Sequence, residues 1–182
     1  MVEASHKMIP NSLLRDMLVG VQAPAQPELL QALKQQYRYN YFEPPGEISL
    51  ETYVAIMEYL RQKIYPAESS EEGFFQLGLA SLEGHFQSPV GKINKVAARM
   101  LSIEKASALY LKTQRYNYPF GKHELEKLEK GYLRYCRCGV PTPPDFTRGV
   151  LSYLVQLTGG KQVKVSCQSV DPETIIYEAR WE

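Results

Sequence analysis

The sequence predicts an α+β fold in which an N-terminal helical layer packs on a C-terminal four-stranded antiparallel sheet. Apolar residues recur at a spacing near 3.6 over the first two thirds of the chain and near 2 thereafter, which indicates helices followed by strands. In the last third, two local strand pairs flank one helix in the order ββαββ, and local pairs favour antiparallel pairing. With 182 residues, 44% of them hydrophobic, the chain can bury the core of a single domain over residues 1–182.

Residues 1–48 are predicted to form an N-terminal helical extension. A short apolar patch predicts a helix between Pro10 and Gly20, and Val21–Pro27 is predicted to be a linker. A second helix follows, in which leucines recur at helical spacing up to Tyr37. Pro44-Pro45-Gly46 then breaks the chain.

Residues 49–114 are predicted to form the main helical layer. Ser49 is a favourable N-cap, and Ser69 or Ser70 caps the next helix, whose first turn is acidic. Pro89 is expected to kink or restart that helix, and Ser102 is expected to cap the last helix of the layer. The apolar spacing continues past the proline with Ile93, Val96, Ala97, Met100 and Leu101.

Residues 115–182 are predicted to form the sheet. Arg115–Pro119 alternates and predicts a strand, whereas the charged stretch Lys122–Lys130 is ambiguous. A helix then runs from a proline-rich segment to Gly159-Gly160, and two strands joined at Asp171-Pro172-Glu173 close the chain. In the strand after Gly131, period 2 separates Tyr132, Arg134, Cys136 and Cys138 from Leu133, Tyr135 and Arg137.

Charge and composition exclude several classes of function. The sum of 21 basic and 20 acidic residues gives a net charge of +1, so no whole-protein field favours nucleic acid, and we expect no nucleic-acid partner. The sequence contains no apolar run long enough for a membrane span and no signal-peptide core. Three cysteines, an odd number, fit a reducing compartment, and the expected location is the cytoplasm.

Local catalytic motifs are absent from the sequence, which has no GxSxG, HExxH, P-loop or GxGxxG segment. Cys136 and Cys138 share a strand face and Cys167 lies on another predicted strand, so thiols and a histidine could meet as a metal site. The spacing differs from that of a zinc knuckle, and buried small apolar residues are the favoured interpretation. We expect no catalytic residue, no metal and no cofactor.

The three histidines are expected to differ in environment. His6 is expected in a frayed terminus, and His123 in solvent within a polar stretch. His85 lies on the apolar side of its helix, beside Phe86. A core or interface histidine with one satisfied nitrogen is the favoured interpretation, and a ligand-binding role is the alternative.

Small residues recur on one face of the helix that contains His85 and of its continuation, at Ser81, Gly84, Ser88 and Gly91. Such a face either meets a neighbouring helix closely or leaves a groove. Because a kink at Pro89 hinders close packing, we predict a groove that binds a long-chain or polycyclic apolar ligand. The predicted ligand-binding residues are Phe74, Leu77, Ser81, Gly84, His85, Phe86 and Ser88. Under this hypothesis, Gly84→Leu abolishes binding and leaves the fold nearly intact.

Short segments in a fixed order carry a family resemblance over about 120 residues. They are Lys63-Ile64-Tyr65-Pro66, Phe75-Gln76-Leu77-Gly78, Glu83-Gly84-His85-Phe86, Asn117-Tyr118, Phe146–Leu151, Gly159–Val163 and Tyr177–Trp181. Through these segments and their order, the chain resembles an uncharacterised paralogous family first noted in myxobacteria, whose members are single domains of this size. The C-terminal part also resembles the 4-vinyl reductase domain, which is grouped with TRAPP tethering subunits and heme nitric-oxide-binding domains in one α+β superfold.

The resemblance implies a small-molecule-binding or scaffolding module, often dimeric, rather than an established enzyme. TRAPP-like members take an acyl chain in an apolar channel. The heme-binding relatives need an axial histidine and a Tyr-x-Ser-x-Arg motif, which this sequence lacks. Together with 13 tyrosines and 6 phenylalanines, the kinship leads us to expect a homodimer.

Three functions therefore remain open. The first is a non-catalytic sensory or scaffolding domain that binds an apolar small molecule or acyl chain between the helical layer and the sheet. The second is an enzyme acting on a hydrophobic or tetrapyrrole-like small molecule, and the third is a purely structural interaction protein. The first two require a cavity and the third does not.

Overall fold

The structure, a computed structural model, describes residues 7–182, so His6 lies outside the described residues. The helical part comprises α1 (Ser12–Gly20), a 3₁₀ turn (Ala23–Ala25), α2 (Pro27–Tyr37), α3 (Leu50–Ile64), α4 (Ser70–His85), α5 (Pro89–Met100), α6 (Ile103–Asn117) and α7 (Pro144–Leu157). The strands are β1 (Met8–Pro10), β2 (Glu47–Ser49), β3 (Lys122–Glu129), β4 (Tyr132–Cys138), β5 (Lys164–Ser169) and β6 (Thr174–Arg180).

Serine caps set the starts of four helices. The Oγ atoms of Ser49, Ser69 and Ser102 each accept a hydrogen bond from the backbone N–H three residues on, as the sequence predicts. Ser88 caps α5 in the same way, and Pro89 occupies the first helical position, where its missing N–H costs nothing. The expectation that Pro89 restarts the helix is therefore confirmed.

The α+β class is confirmed, with the strand order β3-β4-β6-β5 and antiparallel pairing throughout the larger sheet. Helices α6 and α7 cover one face of this sheet. The core between them contains Leu111, Leu133, Tyr135, Leu151, Val155, Tyr177 and Ala179. Strands β1 and β2 pair in a separate two-stranded sheet, which the sequence does not predict because three residues give no readable alternation.

One predicted strand is wrong. Arg115–Pro119 was expected to be extended, but α6 continues to Asn117, because Ser107, Leu111 and Asn117 are buried at helical spacing. The ambiguous stretch after it forms β3, with a bulge between Leu125 and Lys127. Tertiary packing thus decides a local alternation that is too short to specify a strand by itself.

The solvated environment expected for His123 is also wrong. The side chain points into the protein from β3 and is only 2% exposed. Its Nδ1 lies 2.6 Å from the Tyr135 hydroxyl, and the two rings stack. Burial and the nearby Arg137 lower the pKa of His123 to about 4, so the ring is neutral at pH 7.

The two faces of β4 are as predicted, but the cysteines are less buried than expected. Leu133, Tyr135 and Arg137 point inward, whereas Cys136 and Cys138 are half-buried on the outer face. The inner face is polar at its end because the Arg137 guanidinium donates to the Thr142 and Thr147 hydroxyls at 2.6 and 2.7 Å.

Helix α4 lies between α1 and α7 and meets both through glycines. A Cβ atom at Gly84 would overlap the carbonyl oxygen of Asp16 in α1, and one at Gly78 would overlap that of Phe146 in α7. Gly149 of α7 sits against the backbone of α4 in the same way. We call these three contacts the glycine seam. They let helix backbones touch, which fixes α4 on both sides.

Helix α5 forms where the apolar spacing predicts it, but its apolar side faces solvent. The buried residue of α5 is Gly91, and the exposed side chains include Val90, Ile93, Val96 and Met100. The helix therefore adds little to the core of the helical layer.

Candidate functional site

A cavity of about 750 Å³ lies among the helices. Helices α1, α4, α6 and α7 supply most of its wall, and the turn between α4 and α5 also lines it. Among residues 7–182, no residue of the four-stranded sheet lines it, so the cavity is displaced from the expected position between the helical layer and the sheet. Its volume lies in the range of small-molecule sites, roughly 300–1,000 Å³.

Three tyrosines contribute to the wall. Tyr53 and Tyr118 are buried, and Tyr110 is half-buried. Burial raises the pKa of each phenol, and the neighbouring Tyr118 hydroxyl raises the pKa of Tyr53 further. All three hydroxyls are therefore neutral at pH 7 and can both donate and accept hydrogen bonds.

The end of α6 adds uncharged polar groups. Thr113, Gln114 and Asn117 line the cavity, and Asn117 is buried. Apolar side chains complete the wall on other sides, among them Leu13, Leu82, Phe146 and Val150. The wall thus combines apolar surface with neutral hydrogen-bonding groups concentrated near the end of α6, and its charged residues, Arg15 and Asp16, come from α1.

A carboxylate–imidazole pair belongs to the same wall. Asp16 of α1 lies 2.8 Å from Nδ1 of His85, the last residue of α4. The Nε2 atom of His85 lies 3.4 Å from the side-chain amide nitrogen of Asn94 in α5. The histidine therefore links three helices, which agrees with its interpretation as an interface histidine with a satisfied nitrogen.

The predicted ligand-binding residues divide into two groups. Ser81, Gly84, His85 and Ser88 are in the cavity wall. Phe74, Leu77 and Phe86 are buried elsewhere: the ring of Phe74 faces the Arg61 guanidinium of α3, Leu77 lies in the core, and Phe86 packs beside Tyr153 of α7.

The two interpretations of the small-residue face hold at different positions. Ser81 leaves room for the cavity, whereas Gly84 provides close contact with α1 as part of the glycine seam. The carbonyl of His85, freed by Pro89, accepts a hydrogen bond from the Ser88 hydroxyl at 2.9 Å. The structure contradicts the expectation that Gly84→Leu leaves the fold intact, because a side chain there has no space.

Sequence reasoning missed the parts of the wall that come from α1, α3 and α6. These helices are distant in sequence from α4, so no local pattern connects them to it. One signal was present, since Asn117-Tyr118 and Phe146–Leu151 are among the segments that carry the family resemblance, and both contribute to the wall.

The cysteines are placed apart from each other and from the cavity wall. Cys136 and Cys138 are on the outer face of β4. Cys167 of β5 is on the inner face of the sheet, where its Sγ atom lies 4.0 Å from a carboxylate oxygen of Asp145 in α7. Burial raises the pKa of Cys136 and of Cys167, so both are thiols at pH 7. In the described part of the chain, no three histidine, cysteine or acidic side chains are grouped as metal ligands.

The fold is that of the H-NOX domains. An oxygen-binding H-NOX domain related to soluble guanylate cyclases superposes with a TM-score of 0.72 at 6% identity, over 96% of this chain and 95% of that one. An unliganded Fe(II) H-NOX protein mutant from K. algicida superposes with a TM-score of 0.69 at 10% identity, over 96% of this chain and 97% of that one. A protein studied for heme redox potential and porphyrin distortion superposes with a TM-score of 0.70 at 6% identity, over 95% of this chain and 100% of that one.

The chain belongs to the family described as "Protein of unknown function (DUF2378)", whose model matches residues 7–182. No curated protein is significantly similar to it in sequence. Within residues 7–182, no helix has the length and apolar character that a membrane span needs.

The histidine and tyrosines of the cavity wall do not fit a heme. Among the described residues, His85 is the histidine in the wall, and its two ring nitrogens already face Asp16 and Asn94. Of the described residues, no cysteine or methionine lines the cavity, and its tyrosines are held as neutral phenols, which are poor ligands for iron.

The group that would anchor the propionates is missing as well. The inward positions of β4 are occupied by Leu133, Tyr135 and Arg137, rather than by Tyr-x-Ser-x-Arg. Arg137 is 3% exposed, is outside the cavity wall, and already donates to Thr142 and Thr147. The arginine in the wall is Arg15 of α1, whose guanidinium lies 5.9 Å from the centre of the Tyr41 ring. The residues described therefore leave heme without a free axial ligand and without the Tyr-x-Ser-x-Arg anchor.

Proposed function

We propose that this protein is a non-catalytic domain that binds an apolar small molecule or acyl chain in the helical cavity, in a sensory or scaffolding role. The observation that carries the proposal is the composition of the wall, which is apolar over most of its extent and has neutral hydrogen-bonding groups at the end of α6. Sites of this composition bind small molecules of matching polarity.

The polarity of the wall indicates the class of ligand. The Tyr110 and Tyr118 hydroxyls and the Asn117 amide can hold an uncharged polar end, such as a hydroxyl, ester or protonated carboxyl group. A charged end is disfavoured at the end of α6, because burial already keeps the phenols neutral and the charged residues of the wall, Arg15 and Asp16, belong to α1. We therefore propose a ligand with an apolar body and one neutral polar end.

Filling the cavity tests this proposal. Val150 of α7 lines the wall, so Val150→Trp places an indole where the ligand body would lie. We expect wild type to bind the neutral fluorescent probe N-phenyl-1-naphthylamine saturably at one site per chain. In the variant the affinity should fall about tenfold, the equivalent of about 1.4 kcal/mol.

Val170→Trp is the matched control. Val170 is exposed in the turn between β5 and β6, outside the cavity wall, so this variant adds the same fluorophore without filling the site. Ser81→Leu fills the cavity from α4 with a smaller side chain and covers the case in which Val150→Trp fails to fold. Equal probe binding by all four proteins contradicts the proposal.

One observation favours the alternative function, an enzyme acting on a hydrophobic or tetrapyrrole-like small molecule. The Asp16 carboxylate faces Nδ1 of His85, so Nε2 would be the nitrogen that takes a proton as a general base, and a substrate would have to replace its long, 3.4 Å contact with the Asn94 amide. If the pair is structural, His85→Gln retains the same bound molecule as wild type. An enzyme would instead accumulate its unconverted substrate in the variant, and mass spectrometry would show a different bound mass.

We also propose a homodimer in the cytoplasm. Exposed aromatic side chains such as Phe42 and Tyr116 support an interface outside the cavity. A stable interface buries more than about 1,000 Å² in total. Light scattering at roughly tens of micromolar should give twice the chain mass, and a monomer mass contradicts the dimer.

A further inference from the structure

The outward side of α5 is an apolar stripe that no part of residues 7–182 covers. Val90, Ile93, Val96 and Met100 recur every three to four residues and are 61–82% exposed. Gly91, on the opposite side of the helix, faces the protein. The core therefore gains nothing from this apolar surface. Isolated apolar side chains are common on protein surfaces, but a continuous helical stripe indicates a binding surface.

The polar residues of α5 carry charge of one sign. The helix contains Lys92, Lys95 and Arg99 and no acidic residue. At about 100° per residue, Lys92 and Arg99 fall along one border of the stripe. Lys95 lies toward the protein, with its amino group 5.8 Å from the centre of the Phe86 ring. The rest of the chain balances this charge, since the whole protein has a net charge of only +1.

A second copy of the chain is a poor match for this surface. The helix has 12 residues and is about 18 Å long, so one stripe offers only a few hundred Å², less than the roughly 800 Å² per partner of a standard interface. A symmetric pair of stripes would also bring the two rows of basic side chains together.

We propose that α5 lays this stripe on an anionic lipid bilayer, with Lys92 and Arg99 at the level of the headgroups. An apolar stripe bordered by basic residues matches the boundary between acyl chains and anionic headgroups. Basic residues near such a surface add attraction that falls off within a Debye length, so binding depends on salt. Pro89 and Val90 also belong to the cavity wall, so the docked helix brings that end of the cavity to the bilayer. Docking itself does not depend on a bound ligand.

Vesicle co-sedimentation tests the proposal with defined lipids. We expect wild type to sediment with phosphatidylcholine vesicles that contain about 30% phosphatidylserine, less at high salt, and not with phosphatidylcholine alone. The double variant Ile93→Glu/Met100→Glu should lose about tenfold in partitioning, because two charges replace apolar contacts. Lys92→Gln/Arg99→Gln should weaken binding to the anionic vesicles by a similar factor.

The matched control is Leu109→Glu/Val170→Glu, which places the same charges at two exposed apolar positions outside α5 and should bind as wild type. Three results overturn the proposal. One is wild type that fails to sediment with anionic vesicles, and another is equal sedimentation of wild type and the stripe variant. The third is a stripe variant that changes from dimer to monomer without vesicles, which shows that a second copy covers the stripe.

Discussion

The surfaces of α4 differ in how they meet their neighbours. On the two surfaces that meet α1 and α7, glycines allow backbone to touch backbone, and any Cβ atom at Gly78 or Gly84 would overlap a carbonyl oxygen. On the surface between these contacts, where Ser81 lies three residues from each glycine, about 750 Å³ is left open toward Tyr53 of α3 and Tyr110 of α6.

The difference shows how one helix can be both a fixed support and a cavity wall. Close contact at the glycine seam holds α4 from two directions, so the surface between the two contacts does not need to be filled for the helix to stay in place. The space is kept by the separation of α6 from α4, and small residues have opposite effects on these neighbouring surfaces of α4. Changes in the glycine seam should therefore affect stability, and changes at Ser81 or Val150 should affect binding.

The largest expected effect is at the glycine seam. Gly84→Ala should lower the free energy of unfolding by about 3 kcal/mol, because the new methyl group forces α1 away from α4. Denaturant unfolding followed by circular dichroism measures this change.

Gly46→Ala is the control for that prediction. A Cβ atom there meets nothing within 4 Å, so the stability should change by less than about 1 kcal/mol. If Gly84→Ala is as stable as Gly46→Ala, the glycine seam does not hold α4 in place, and the contrast between the packed and the cavity-lining surfaces of α4 is lost.

The next effect concerns pH and the sheet core. The ordinary pKa of a histidine, 6.5, applies to His123 in the unfolded chain, whereas the pKa in the folded protein is about 4. As the pH falls, the unfolded chain therefore binds a proton at this residue before the folded protein does. Stability should therefore be complete above pH 6.5 and decline between pH 6.5 and 4, by up to about 3 kcal/mol from this residue.

His123→Phe removes that titration while filling similar space. Its stability relative to wild type should improve steadily as the pH is lowered from 6.5 to 4, which chemical unfolding at a series of pH values measures. A constant difference between the two proteins across this range would show that His123 is not held neutral.

The smallest effect is expected for the pair of Asp16 and His85. Both side chains are partly exposed, so their coupling should be worth at most about 1 kcal/mol. A double-mutant cycle with Asp16→Asn and His85→Gln measures it. A coupling several times larger would place this pair, rather than the glycine seam, as the main link between α1 and α4.

Local chemistry explains what the sequence predicts correctly. The caps at Ser49, Ser69 and Ser102 depend on hydrogen bonds within three residues, and the faces of β4 depend on simple alternation. The four-stranded sheet follows from two hairpins that are local in the chain.

The failures share a dependence on distant contacts. His123 sits in a charged stretch, and only its pairing with Tyr135 of β4 and the packing around it bury the ring. The cavity wall combines α1, α3, α4, α6 and α7, whose separation is set by the glycine seam and by the sheet. Small residues on one helix face predict closeness or space equally well, and only the neighbouring helix decides between them.

Native mass spectrometry of the purified protein tests the central claim most directly, because it counts chains and retained molecules together. We expect one small apolar molecule per chain, bound to wild type or acquired from a lipid extract. Val170→Trp should retain it, whereas Val150→Trp and Ser81→Leu should not. Wild type that keeps only its own chain mass after incubation with the extract, or a cavity-filled variant that retains the molecule as wild type does, would contradict the claim.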